Sequence, residues 1–168
     1  MLFYKDRPKV KANFEIIDKI IEVIALSVLA FMCVYVVVMY KKLPDIIATH
    51  FNNFGKANGF GNKSTLFLLL GIAIIINILV TVLSFYPHIF NYTVKITEEN
   101  ASNQYTLATR FLRIIKCFVN IVLLYIMHTS IQTAFTNHAE LEKYFLPFIL
   151  VFMFVPTISY IFFSYKKK

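Results

Sequence analysis

The chain has 168 residues, of which 58% are hydrophobic and only 15% charged, against about 25% charged in an ordinary soluble domain. A soluble protein of this length lacks the interior to hide 18 Phe and 10 Tyr, so composition excludes a compact soluble domain and points to the bilayer as solvent. The formal net charge of +8 is divided among tails and segment ends; it forms no basic patch on a soluble surface, so nucleic acid is not an expected partner.

Four uncharged runs set the architecture. They cover residues 23–40, 64–94, 117–139 and 144–165. Crossing the hydrocarbon core takes roughly 20 apolar residues, so the expectation is an all-α integral membrane protein. It would form a single four-span domain over 1–168, with spans near 20–40, 65–87, 112–133 and 145–165. No alternation in ten-residue segments suggests a barrel. The first run is too long for a cleavable signal peptide, and no small-x-small site follows it. Cys33 and Cys117 both lie in apolar runs and predict no disulfide.

Basic residues orient the spans. Lys5, Arg7, Lys9, Lys11 and Lys19 precede the first span. Lys95, Arg110, Arg113 and Lys116 lie between the second and third, and Lys166, Lys167 and Lys168 follow the fourth. The other side has Lys41, Lys42, Lys56, Lys63 and Lys143. Both termini are therefore expected in the cytoplasm, with the lipid bilayer itself as first partner and the basic residues meeting anionic lipid.

After the first span comes "KKLPDIIATHFNNFGKANGFGNKS" (Lys41–Ser64). Its Asn and Gly residues predict a turn-rich outer loop, with a tight turn at Asn58-Gly59. Ser64 or Thr65 is expected to cap the second helix. His50 and Asp45 are too few for a zinc site; His138, Glu140 and Glu142 of the second outer loop would complete one only if the two loops meet. The glycines lack phosphate-loop spacing. No cofactor, metal or catalytic residue is assigned.

Within the second run, Gly71 and Ala73 suggest close helix packing, and Asn77 is polar near the middle. Pro87 and His88 end that span. The inner loop, "PHIFNYTVKITEENASNQYTLATRFLRIIK", contains "NYTVKIT", read as a short extended piece around Asn91. Thr97 is read as a helix cap, with Asn100 where a capping box would have Glu or Gln. Glu98 and Glu99 then complement the helix dipole. Arg110 belongs to an amphipathic inner lead-in helix that continues into the third span. Asn120 and His128 are the polar residues of that span. They and Asn77 are expected to bond across helices or to backbone, with a proton relay through His128 as the sharper alternative. No charge is expected in the span centres. Pro156 is expected to kink the fourth span and free a carbonyl.

The outer loop resembles a bacterial membrane family known only as domain of unknown function number 1648. Its hallmark reads L-P-x-x-I-P-x-H-[FW]-N-x-x-G-x-x-D-x-x-G-x-K between two spans. Leu43, Pro44, Ile47, His50, Phe51, Asn52, Gly55, Gly61 and Lys63 match it. Ala48 stands where Pro is usual and Asn58 where Asp is usual. The inner segment carrying Pro87, His88, Asn91, Thr97, Glu98, Asn100 and Arg110 also looks like its counterpart in short members, so the resemblance covers roughly residues 20–125. It implies kinship with the N-terminal part of an immunity protein, one that protects sporulating bacteria from a secreted toxic peptide and acts as a membrane signal receptor. The implied function is immunity against, or sensing of, an envelope-active peptide at the bacterial inner membrane, with an extracytoplasmic peptide as ligand. A small transporter or membrane enzyme subunit, or a structural subunit and homo-oligomer, are the alternatives.

Overall fold

The computed structural model describes residues 7–52, 54–136 and 141–167. Four helices account for most of it: α1 (Ile16–Tyr40), α2 (Thr65–Leu83), α3 (Ala101–Thr136) and α4 (Phe145–Lys166). Each is long and apolar enough to cross a membrane. The expectation of an all-helical chain is corrected in one place. Between α1 and α2 stand two antiparallel strands, β1 (Ile46–Phe51) and β2 (Ala57–Asn62). β-branched Ile46, Ile47 and Thr49 favour β1, while the glycines of β2 keep that strand thin enough to lie close to it.

Helix ends follow local chemistry. Asp18 Oδ2 accepts the backbone N–H of Glu15 (3.0 Å) at the start of α1. Leu43-Pro44 ends that segment, because the residue before proline is pushed away from helical geometry. At α2, Ser64 is already helical and makes no side-chain cap bond. Asn62 does that work: its Oδ1 accepts the Ser64 N–H (2.9 Å), while Thr65 Oγ1 donates to the Asn62 carbonyl (2.8 Å). At α3 the capping box reads as expected. Thr97 N–H donates to Asn100 Oδ1 (2.9 Å), and Asn100 N–H to Thr97 Oγ1 (3.4 Å). A 3-10 turn, Pro87–Ile89, follows α2, whereas "NYTVKIT" forms no strand.

α3 is the hub, with α1, α2, α4 and β1 all packed on it. The lead-in continues into the third span as expected, forming the first turns of this 36-residue helix, and Tyr105, Ala108, Arg113 and Lys116 along it are buried. Its polar side faces α1 rather than a lipid interface. The half of the bundle next to the two strands has an apolar core, with Met32, Val36, Ile47, Leu66, Met127 and Ile131 fully or nearly fully buried. Ala73 lies in that core, but a side chain at Gly71 would meet nothing within 4 Å, so Gly71 marks no close contact.

α4 joins α3 through stacked rings. Phe111–Tyr160, Phe118–Phe152 and Tyr125–Phe145 have centroids 5.0, 4.1 and 4.9 Å apart. The rest of α4 is exposed apolar surface, including Phe148, Val151, Phe154, Ile158 and Phe162. Such a surface is stable against acyl chains and unstable against water.

Candidate functional site at the hairpin

The hairpin turns at Asn52–Lys56, not at Asn58-Gly59. Asn52 Oδ1 accepts the N–H groups of Phe54 (2.9 Å) and Lys56 (3.0 Å), and its backbone carbonyl accepts the Gly55 N–H (2.9 Å). Gly55 takes φ +82°, a conformation that side chains disfavour. Asn58 and Gly59 instead lie inside β2, where Gly59 pairs with His50. A Cβ on Gly59 would come within 2.8 Å of His50 Cβ, and one on Gly61 within 3.2 Å of Thr49 Cγ2. Both glycines are there for cross-strand approach rather than for a turn. An "NG" pair signals a turn only when no longer-range pairing competes, and here Asn52 supplies a better one.

Two clamps hold the hairpin on the bundle. At its tip, the Leu141 N–H donates to the Gly55 carbonyl (2.9 Å). At its base, Lys63 Nζ donates to the Leu43 carbonyl (3.0 Å), pairs with Asp45 Oδ1 (3.1 Å) and lies 5.0 Å from the centre of the Tyr40 ring. Asp45 is almost fully exposed, so that ion pair adds little; the carbonyl bond and the ring contact carry more. Between the clamps Ile47 and Ala48 are buried. Ala48 is thus a packing position, while Pro44 stays exposed and acts through chain direction.

What faces outward is His50, with Phe54, Phe60 and Ile46. His50 Nδ1 lies 2.6 Å from Asn58 Oδ1. An amide oxygen only accepts, so the imidazole donates there through Nδ1–H. The two outer loops do meet, through Gly55 and Leu141. His138 and Glu140 lie outside the described residues, and among the described residues no three His, Cys, Asp or Glu side chains gather as a metal site. Phe51 is half-buried on β1.

The inner residues gather at the opposite end. Arg7 donates to the carbonyls of His88 and Phe90, and Tyr105 Oη to that of Pro8 (2.9 Å), so the N-terminal segment ties the loop after Pro87 to α3. Tyr92, beside Tyr105, has its phenol pushed far above the usual range by burial and then by Tyr160 and Tyr105, with Arg7 opposing. Asn91 and Glu98 are exposed, and nothing in the structure gives them a contact of their own.

The polar residues of the spans are paired. Asn77 Nδ2 donates to Asn120 Oδ1 and to the Ala73 carbonyl, both at 2.8 Å; Asn120 Nδ2 donates to the Ala25 carbonyl (3.0 Å). His128 Nδ1 lies 2.8 Å from Tyr35 Oη. Charge is also buried, toward the span ends and away from their centres. Arg110 binds Asp18 through Nε and Nη2 (both 3.0 Å) and Glu15 (2.7 Å). Arg113 reaches Asp18 (3.5 Å) and Glu22 (3.3 Å), and Lys116 pairs with Glu22. Asp18 and Lys116 are buried. The signal was in the spacing: acids at 15, 18 and 22 and bases at 110, 113 and 116 each form one helical stripe, of opposite sign, at the same end of their helices.

Residues 28–74 match the family model described as a domain of unknown function (DUF1648). No curated protein and no solved structure matches the chain. The matched stretch runs from within α1 through the hairpin into α2, so it holds every hairpin residue discussed above, while the loop after Pro87 and α3 lie beyond it. Over residues 28–74, therefore, the chain is similar to the family described as a domain of unknown function (DUF1648).

Proposed function

We propose that the chain is a multi-pass protein of the bacterial inner membrane whose hairpin binds an extracytoplasmic peptide, in immunity against or sensing of an envelope-active peptide. The termini and the loop after Pro87 face the cytoplasm in this reading, supported by the excess of Lys and Arg at that end. The observation that carries the peptide reading is the build of the hairpin. β1 packs on α3, the two-stranded sheet has no further strand beyond β2 among the described residues, and exposed Phe54, Phe60 and His50 stand on this clamped unit. A held strand edge with aromatic side chains suits addition of an extended peptide as a third strand. A transporter or enzyme reading would draw on an unpartnered polar group at mid-span, and Asn77, Asn120 and His128 each have a partner.

The test is sensitivity of living cells. Deleting the gene should raise sensitivity to an envelope-active peptide within a broad panel. The wild-type gene should restore resistance, and His50→Ala or Phe60→Ser, expressed at the same level, should not. Unchanged sensitivity across the panel would remove the reading and leave a structural subunit, to be sought as a stable complex in mild detergent.

A further inference from the structure

At the end opposite the hairpin, α3 and α4 part to form a cleft shaped like an amphiphile. Its deep portion, of about 490 Å³, is walled by Leu107, Phe111 and Ile114 of α3 and by Val155, Pro156 and Tyr160 of α4. Arg110, Ser159 and Phe163 complete that wall, and Lys167 stands at its mouth. Lys167 also lines a second recess of about 550 Å³, formed with Lys95, Thr97, Glu99, Asn100 and Asn103. One volume is chiefly apolar and the other is polar and charged, and they meet at a single lysine.

Helical spacing makes them one site. Asn100, Asn103, Leu107, Arg110 and Ile114 recur at three- and four-residue steps, so they lie along one face of α3. From Asn100 to Ile114 that face runs about 20 Å at 1.5 Å per residue. One leaflet contributes roughly 15 Å of hydrocarbon, with the headgroup zone beyond it. The polar-to-apolar order along this face is that of a phospholipid from headgroup to chain.

The walls are held in place. Gln104, fully buried on α3, donates through Nε2 to the backbone carbonyls of Ser164 (2.9 Å) and Lys167 (3.1 Å), and accepts at Oε1 from Ser164 Oγ (2.8 Å). This pins the end of α4, and Lys167 with it, beside the recess. Charge then selects the headgroup. Lys95 and Lys167 outnumber Glu99. Arg110, already matched by Asp18 and Glu15, makes no hydrogen bond through Nη1 to any described residue.

We propose that this cleft is a binding site for one anionic phospholipid of the leaflet on the side of the chain termini. Its phosphate would sit at Lys95 and Lys167, its polar headgroup atoms against Thr97 and Asn103, and an acyl chain along Leu107, Phe111 and Ile114. The site is separate from any ligand of the hairpin and rests only on the chain residing in a bilayer.

The experiment uses the full chain in lipid nanodiscs released for native mass spectrometry, with phosphatidylglycerol or phosphatidylcholine of identical acyl chains. Phosphatidylglycerol should be retained at one molecule per chain in preference to phosphatidylcholine. Lys95→Gln and Lys167→Gln should each weaken retention about 5-fold, the effect of one basic residue near an anionic surface. Lys9→Gln with Lys11→Gln, at the same end but outside the cleft, should leave it unchanged. Leu107→Trp should displace the lipid by filling the deep portion, and the exposed lysines test the site even if that variant misfolds. Equal retention of the two lipids, equal loss in the Lys9/Lys11 control, or competition by glycerol 3-phosphate would overturn the proposal. Failure to enter nanodiscs would overturn the membrane reading itself, whereas incorporation with equal retention defeats only the lipid site.

Discussion

Asn77 of α2 and Asn120 of α3 face each other across the bundle, amide to amide, at 2.8 Å. Asn120 also reaches the Ala25 carbonyl, so one side chain joins three helices. Asn120→Ala should destabilise the folded chain by about 0.6–1.7 kcal/mol, the range measured for interhelical hydrogen bonds in a bilayer. At roughly 2–4 °C per kcal/mol for a chain of this size, the loss is readable as a lowered Tm in mild detergent. Asn77→Ala in the Asn120→Ala background should cost less than in the wild type. Full additivity would mean that the two amides do not interact.

The ionic stripe between α1 and α3 is a second seam. Asp18 is buried and meets both Arg110 and Arg113. Removing its charge leaves two guanidiniums short of a partner, so Asp18→Asn should cost about 3 kcal/mol or more. Arg110→Gln added to it should cost clearly less than Arg110→Gln alone, a coupling that a double-mutant cycle isolates. The fall should survive raised salt, because buried pairs are poorly screened. A loss abolished by salt would place the stripe at a wetter surface than its burial implies.

Gly55 is the tip clamp. A Cβ there would stand 2.3 Å from the Leu141 backbone oxygen, and its φ of +82° resists any side chain. Gly55→Ala should therefore free the hairpin from the loop before α4 while leaving the helices intact. Hydrogen exchange should rise at 46–62 with little change in α1–α3. Unchanged protection in the hairpin would show that the base clamp at Lys63 suffices alone.

Sidedness has a direct assay. With Cys33 and Cys117 replaced by Ser, a cysteine at Lys56 should react with an impermeant thiol reagent on intact cells. A cysteine at Glu98 should react only after permeabilisation. The reverse pattern would invert the orientation.

Helix number and the apolar surface were legible in the sequence, because uncharged run length is a one-dimensional property and bilayer thickness sets its scale. The capping box at Thr97 and Asn100 was legible too, being local. The hairpin was not: its strands take their order from pairing across a turn, and the local Asn58-Gly59 signal lost to Asn52 and Gly55. The inner stripe was missed because each charge taken singly lies near a span end, where water is expected. Only α1 lying against α3 brings Asp18 within reach of Arg110.

By itself, then, the sequence determined four membrane-length helices, the concentration of positive charge at one end, and a polar loop bearing the hallmark that matches over residues 28–74. Tertiary packing decided what those residues do. It made Gly55, Gly59 and Lys63 parts of a clamped sheet, turned six charges into a neutral seam, and opened a half-polar cleft between α3 and α4. Such features depend on distances between residues up to 95 positions apart in the chain, which periodicity along one strand of sequence cannot express.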